Sequence, residues 1–201
     1  KQTGCGMMDC KKALTESNGD FEAAVKFLRE KGMAATAKKA DRIAAEGIVD
    51  IMTIGNTTAI VEVNSETDFV AKNATFQEFV KDILKTIIAN KPADVAALMP
   101  CKMADGMTVE AALAENTYKI GEKLSLRRFN IVEGTVSTYI HGMGATGVIV
   151  SFDTDLADKA EFVECAKNVA LQTAAMDVKF LDKESVPAEV LAEEEAILIK
   201  Q

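Results

Sequence analysis

The sequence has one histidine, no tryptophan, two tyrosines and three prolines among its 201 residues. A single imidazole, His141, and four dispersed cysteines (Cys5, Cys10, Cys101 and Cys165) make no ligand set for zinc, and no Cys-x-x-Cys pair occurs. No cofactor and no metal are therefore expected, and the cysteines read as thiols of a reducing cytoplasm. No apolar run reaches membrane-spanning length and no secretory signal opens the chain, so no membrane contact is expected. Positive charge is short as well: 23 Lys and Arg against 31 Asp and Glu leave a net charge of −8. Direct nucleic-acid binding needs cations clustered on phosphates and is not expected; a charged protein partner fits better. The chain does not open with Met, from which leading residues are expected to have been removed.

What the chain does have is apolar residues, 48% of the total, enough to bury a substantial core. Met7 to Glu16 reads as a short helix, and Ser17-Asn18-Gly19-Asp20 as a loop ending in a helix cap. Phe21, Ala24, Val25 and Leu28 then fall on one helical face, stopped by Gly32. Two such helices cannot close a core alone, so a third is expected before Lys1, giving a small bundle over residues 1–33. Residues 34–46, alanines with Lys38, Lys39 and Arg42, read as a linker helix ended by Gly47.

A hairpin follows, residues 48–54 and 58–63 around a Gly55-Asn56 turn, then a loop over 64–74. Thr75-Phe76-Gln77-Glu78 has the pattern of a capping box. It opens a helix with Phe76, Phe79, Val80, Ile83, Leu84, Ile87 and Ile88 on one face. Residues 93–123 read as broken helix, and 124–130, 135–140 and 148–152 as strands. Residues 157–175 read as a helix with Val163, Ala166, Val169, Ala170 and Thr173 on one stripe. Pro187 opens a last helix that meets no stop signal before Gln201, so the protein is expected to continue. A constant offset of 87 residues matches Glu46-Gly47 with Glu133-Gly134, Val61 with Val148 and Thr67-Asp68 with Thr154-Asp155. The fold class is therefore α+β, with two related subdomains of antiparallel sheet backed by helices, residues 47–130 and 131–201.

Gly142-Met143-Gly144-Ala145-Thr146-Gly147 matches the glycine pattern of dinucleotide sites, but a strand follows it where a helix is required, so it reads as a hairpin connection. No phosphate-binding loop with Lys-Ser or Lys-Thr is present. His141 lacks a nucleophile partner and reads as structural or as an interface residue. The loop Thr67-Asp68-Phe69-Val70-Ala71-Lys72-Asn73 sets two apolar side chains beside an acid on an expected surface. Composition leaves two readings even: the apolar pair folds back under the sheet, or it anchors a partner. The second repeat has Leu156 and Ala157 there instead.

These residues resemble the elongation factor Ts family. The 67–73 loop is similar to that family's Thr-Asp-Phe-Val-Ala motif, and residues 3–14, with Met7-Met8-Asp9-Cys10-Lys11-Lys12, are similar to its N-terminal motif. Ile120-Gly121-Glu122, Arg127-Arg128 and His141-Gly142 resemble further stretches, with Lys123 standing where the family usually has Asn. Residues 91–117 carry no stretch in which the resemblance is close. The resemblance implies a ubiquitin-associated-like bundle at the N-terminus and no enzymatic activity. It implies nucleotide exchange on the GTPase elongation factor Tu, with a homodimer left open. Thr67, Asp68, Phe69 and Val70 would contact the GTPase near its Mg²⁺ region, Met7 and Met8 a GTPase-domain helix, and His141 and Gly142 another domain. Bundle core is the other reading of Met7 and Met8. The competing functions are an adaptor built on the helical bundle and a metabolic enzyme using the glycine loop.

Overall fold

Seven apolar side chains spaced three and four apart organise the centre of the protein. In the computed structural model, which describes residues 5–176 and 178–200 (side chains of 33–36 apart), Phe76, Phe79, Val80, Ile83, Leu84, Ile87 and Ile88 are all buried on α4 (Ala74–Asn90). Two helices precede that core: α1 (Met7–Glu16) and α2 (Phe21–Lys38). Then come the hairpin strands β1 (Glu46–Ile54) and β2 (Thr57–Ser65) and the single helical turn α3 (Asp68–Ala71). After α4 follow α5 (Val95–Leu98), α6 (Val109–Ile120) and β3 (Ser125–Glu133). A second hairpin, β4 (Thr135–His141) and β5 (Thr146–Phe152), leads to α7 (Ala160–Met176) and α8 (Ala188–Lys200).

β2 is the middle strand of an antiparallel sheet ordered β1-β2-β3. Pleat alternation sends Ile48, Met52, Ala59, Val61 and Val63 to the side where α4 packs. On the opposite side stand Val49, Ile51 and Ile60, and there the second hairpin crosses β1. Gly144 accepts a hydrogen bond from the Val49 amide at 2.8 Å. A Cβ on Gly147 would stand 2.6 Å from Val49 Cγ1 and 3.2 Å from Ile60 Cδ1. The glycine pattern therefore joins two antiparallel strands, as expected, and its glycines permit backbone to lie against β1. α7 backs β4 and β5, with Phe152 and Phe162 edge to face at 5.3 Å.

The order hairpin then helix thus occurs twice, as the 87-residue offset predicts. The copies differ in detail. The first hairpin turns in two residues, 55–56, and pairs with β3; the second turns in four, 142–145, and stays two-stranded. α3 has no helical counterpart in the second copy, where Leu156 to Lys159 form a turn.

Several expectations need correction. Gly32 does not stop α2, which runs to Lys38; a Cβ there would lie 3.5 Å from the Ala114 carbonyl, so Gly32 is where α2 passes close to α6. The expected linker helix over 34–46 is accordingly the end of α2 followed by non-helical chain. α4 is capped not by the Thr75 box but by Asn73, whose Oδ1 accepts from the Thr75 and Phe76 amides. On α7 only Ala166 and Ala170 of the expected stripe are buried; Val163 is 55% exposed and Val169 is exposed too. Phe21 is also exposed, and the small core between α1 and α2 is Ala13, Ala24 and Leu28. Thr3 and Gly4 of the N-terminal motif, and Gln201, lie outside the described residues.

Candidate functional site: a rigid apolar tip beside a cleft

The strand β2 ends at Ser65, and the chain turns at once into α3. Ser65 is fully buried and its hydroxyl donates to the Thr67 carbonyl at 2.9 Å. Thr67 is the N-cap, extended in backbone, with Oγ1 accepting from the Val70 amide. Asp68 opens the helical turn, where a carboxylate suits the positive end of the helix dipole, and it pairs with Lys72 one turn on at 2.6 Å. That lysine hydrogen bond is the largest influence holding the Asp68 carboxyl below its ordinary value, so the group is an anion at neutral pH. Ala71 is buried, and its carbonyl accepts from Gln77 of α4.

These bonds separate the two apolar neighbours. Val70 is half-buried and packs on the central core, while Phe69 points outward and is 80% exposed. Of the two readings that composition left open, folding back under the sheet holds for Val70, while Phe69 is left outside the core. Phe69 stands on a fixed turn tied at both ends, not on a loose loop.

The loop is held by residues whose contact with it the sequence did not reveal. The Glu122 carboxylate accepts from the Glu66 amide (3.1 Å), the Thr67 amide (3.0 Å) and the Thr67 hydroxyl (2.7 Å). Glu66 in turn accepts from the Lys123 amide at 2.6 Å and pairs with Arg42. The bond from the Lys123 amide is the first cause holding the Glu66 carboxyl below its usual range. Lys123 Nζ donates to the carbonyls of Ala40 and Arg42 at 2.5 and 2.9 Å. The Ile-Gly-Glu stretch was visible in the sequence, but its partners lie more than fifty residues away and no local signal points to them.

Asp68 and Lys72 line a cleft of about 340 Å³. Gly142, Met143, Gly144 and Ala145 of the second hairpin line it too, with Gly47, Ile48, Glu62 and Asn64. Two of the expected contact regions, the 67–70 loop and Gly142, thus flank one depression. Met143, at φ 56°, projects from the turn and is largely exposed. His141 ends β4, exposed, with Nδ1 3.1 Å from the Tyr139 hydroxyl. At Glu62, which also lines the cleft, the bulge at Glu62/Val63 sets both Arg127 and Arg128 against the carboxylate, at 3.1 and 2.7 Å. Burial pushes the Glu62 carboxyl up, but the bonds from Arg128 and Asn64 and the two arginine charges outweigh it and hold it low.

Met7 and Met8 do not line this cleft. They sit on the first turn of α1, 86% and 74% exposed, so neither belongs to the helical core. Among the described residues no group of three or more His, Cys, Asp or Glu side chains could hold a metal ion, and no helix is long and apolar enough to cross a membrane. The model of the family described as Elongation factor TS matches residues 66–201, a span that starts at Glu66 and takes in α3, the sheet partner β3 and the whole second hairpin. On a match over more than half of its length, the chain belongs to the elongation factor Ts family.

Proposed function

We propose that this protein is a guanine-nucleotide exchange factor that binds elongation factor Tu in its GDP form and promotes GDP release during translation elongation. The observation that carries the reading is Phe69: a large apolar side chain left 80% exposed on a turn that is otherwise fully tied down. An isolated exposed phenylalanine gains nothing for its own fold. Buried in a partner it contributes about 1.5–3 kcal/mol, and its rigid mount removes much of the ordering cost of binding.

Exchange is a linkage. If the factor and GDP each weaken the other's binding to Tu, the weakening is reciprocal in free energy. GTPases hold GDP through Mg²⁺ and backbone amides around the phosphates, so a wedge that displaces those elements releases the nucleotide without making or breaking a covalent bond. Phe69 serves as that wedge, between helices of the GTPase. Asp68, paired with Lys72, stands beside it and faces the Mg²⁺ region. Thr67 and Val70 fix the pair from either side. Met7 and Met8 offer adaptable apolar contact to a GTPase-domain helix. His141 and Gly142, at the turn of the second hairpin, meet a second domain of Tu.

The test is the release of fluorescent GDP from elongation factor Tu after mixing with this protein and excess unlabelled nucleotide. Release should accelerate in proportion to added protein until Tu is saturated. A rate that does not change with added protein contradicts the reading.

A further inference from the structure

We propose that Glu122 is a positioning residue for exchange: it sets the stance of Phe69 without meeting the partner. The proposal rests on the exchange reading above. Its basis is the direction of every bond at the carboxylate. Oε2 accepts from two successive amides, those of Glu66 and Thr67, and Oε1 accepts from the Thr67 hydroxyl. A threonine hydroxyl has one proton. Committed to Glu122, it leaves a lone pair for the Val70 amide, which is the cap that starts α3. The carboxylate therefore selects the rotamer of the cap, and the cap sets the helical turn from which Phe69 projects.

Glu122 is itself anchored. It follows Gly121, the left-handed residue that terminates α6, and α6 buries Val109, Ala112, Ala114 and Thr117. The loop is thus referenced to a core helix 55 residues away in sequence. The return bond, from the Lys123 amide to Glu66 Oε1 at 2.6 Å, closes the contact in the opposite sense, so that residues 66–67 and 122–123 clasp each other. Bonds to a carboxylate are shorter and stronger than neutral ones, which suits a joint that must hold a wedge under load. Glu122 is half-buried beneath the loop and lies on no wall of the cleft.

A double-mutant cycle tests this. GDP release from Tu is measured with the parent, Phe69→Ala, Glu122→Ala and the double variant, alongside thermal unfolding of each. Amide hydrogen exchange at Thr67 and Val70 is followed in the free protein. Glu122→Ala should slow factor-stimulated release about tenfold when Phe69 is present and less than about twofold when it is absent, as coupled residues do. Protection at the Thr67 and Val70 amides should fall while α4 stays protected. Equal slowing in both backgrounds, or a loss that only tracks the unfolded fraction, overturns the proposal. Should Glu122→Ala not fold, Glu122→Gln keeps the volume and one acceptor for the two amides; the same cycle applies to it, with a smaller loss expected. If the parent does not accelerate release, the exchange reading is what fails, and amide protection decides positioning alone: unchanged protection in the variant rejects it.

Discussion

Phe69 and Val70 are neighbours of similar chemistry with opposite surroundings, and the difference comes from polar bonds around them. The Thr67 cap starts a helical turn, and the turn carries Val70 inward against the core and Phe69 outward. The same few residues make a charge prediction. Glu66, Asp68 and Glu62 all hold their protons less tightly than free carboxylic acids do. In the window between the folded and unfolded values the unfolded chain binds more protons. The stability these groups contribute is therefore full above the unfolded glutamate value of 4.5 and lost as pH falls through the depressed folded values. Melting temperature should stay level from neutral pH down toward 4.5 and drop below it. Glu66→Gln should lower the neutral-pH melting temperature and flatten part of the drop. Circular dichroism melts across a pH series check both, and a parent that grows more stable on acidification contradicts the assignment.

At the scale of the element, the cap of α4 and the turn of the second hairpin are each decided by one residue. Asn73 accepts from two amides, whereas Thr75 lies inside the helix. Asn73→Ala should cost about 1 kcal/mol, the usual loss for an N-cap, and Thr75→Ala less than about 0.5 kcal/mol, as at an uninvolved surface position. Urea unfolding of the pair separates the two caps; equal losses would restore the capping box. Gly144 has φ +98°, and a Cβ there would stand 2.9 Å from Ile48 Cβ and 3.0 Å from the Val49 carbonyl. Gly55, in the first hairpin, has φ +60° with nothing within 4 Å. Gly55→Ala meets only backbone strain, about 1–2 kcal/mol, while Gly144→Ala adds about 1–3 kcal/mol for the collision with β1. Similar denaturation midpoints for the two variants would mean that the second hairpin does not depend on its contact with β1.

Across the whole molecule, what was legible in the sequence was what repeats locally. Seven apolar positions on α4 follow one helical period, and all seven are buried. The hairpins follow from β-branched runs around glycine turns, and the offset of 87 residues returns as a second hairpin and helix. What depends on distant neighbours was not legible. Gly32 has the pattern of a stop, yet it is an approach point for α6. Val163 and Val169 continue an apolar stripe on α7, yet both are left exposed. Glu122 stands in a recognisable stretch, but nothing local shows its role, because its three donors belong to Glu66 and Thr67. Phe69 was visible as an oddity, an aromatic on a polar loop, but only the fold shows which of the two apolar neighbours faces out.

The central claim is that this outward phenylalanine acts on a partner and not on its own fold, and Phe69→Ala tests it directly. Removing a core phenylalanine costs about 3–5 kcal/mol of stability, while removing an exposed anchor costs about 2 kcal/mol or more of binding. The measurement is the rate of GDP release from elongation factor Tu at limiting, equal concentrations of folded parent and variant. The account predicts an unfolding temperature close to that of the parent and release slowed about thirtyfold or more, the rate equivalent of about 2 kcal/mol. A variant that melts far earlier, with release undiminished once unfolded protein is discounted, would contradict it.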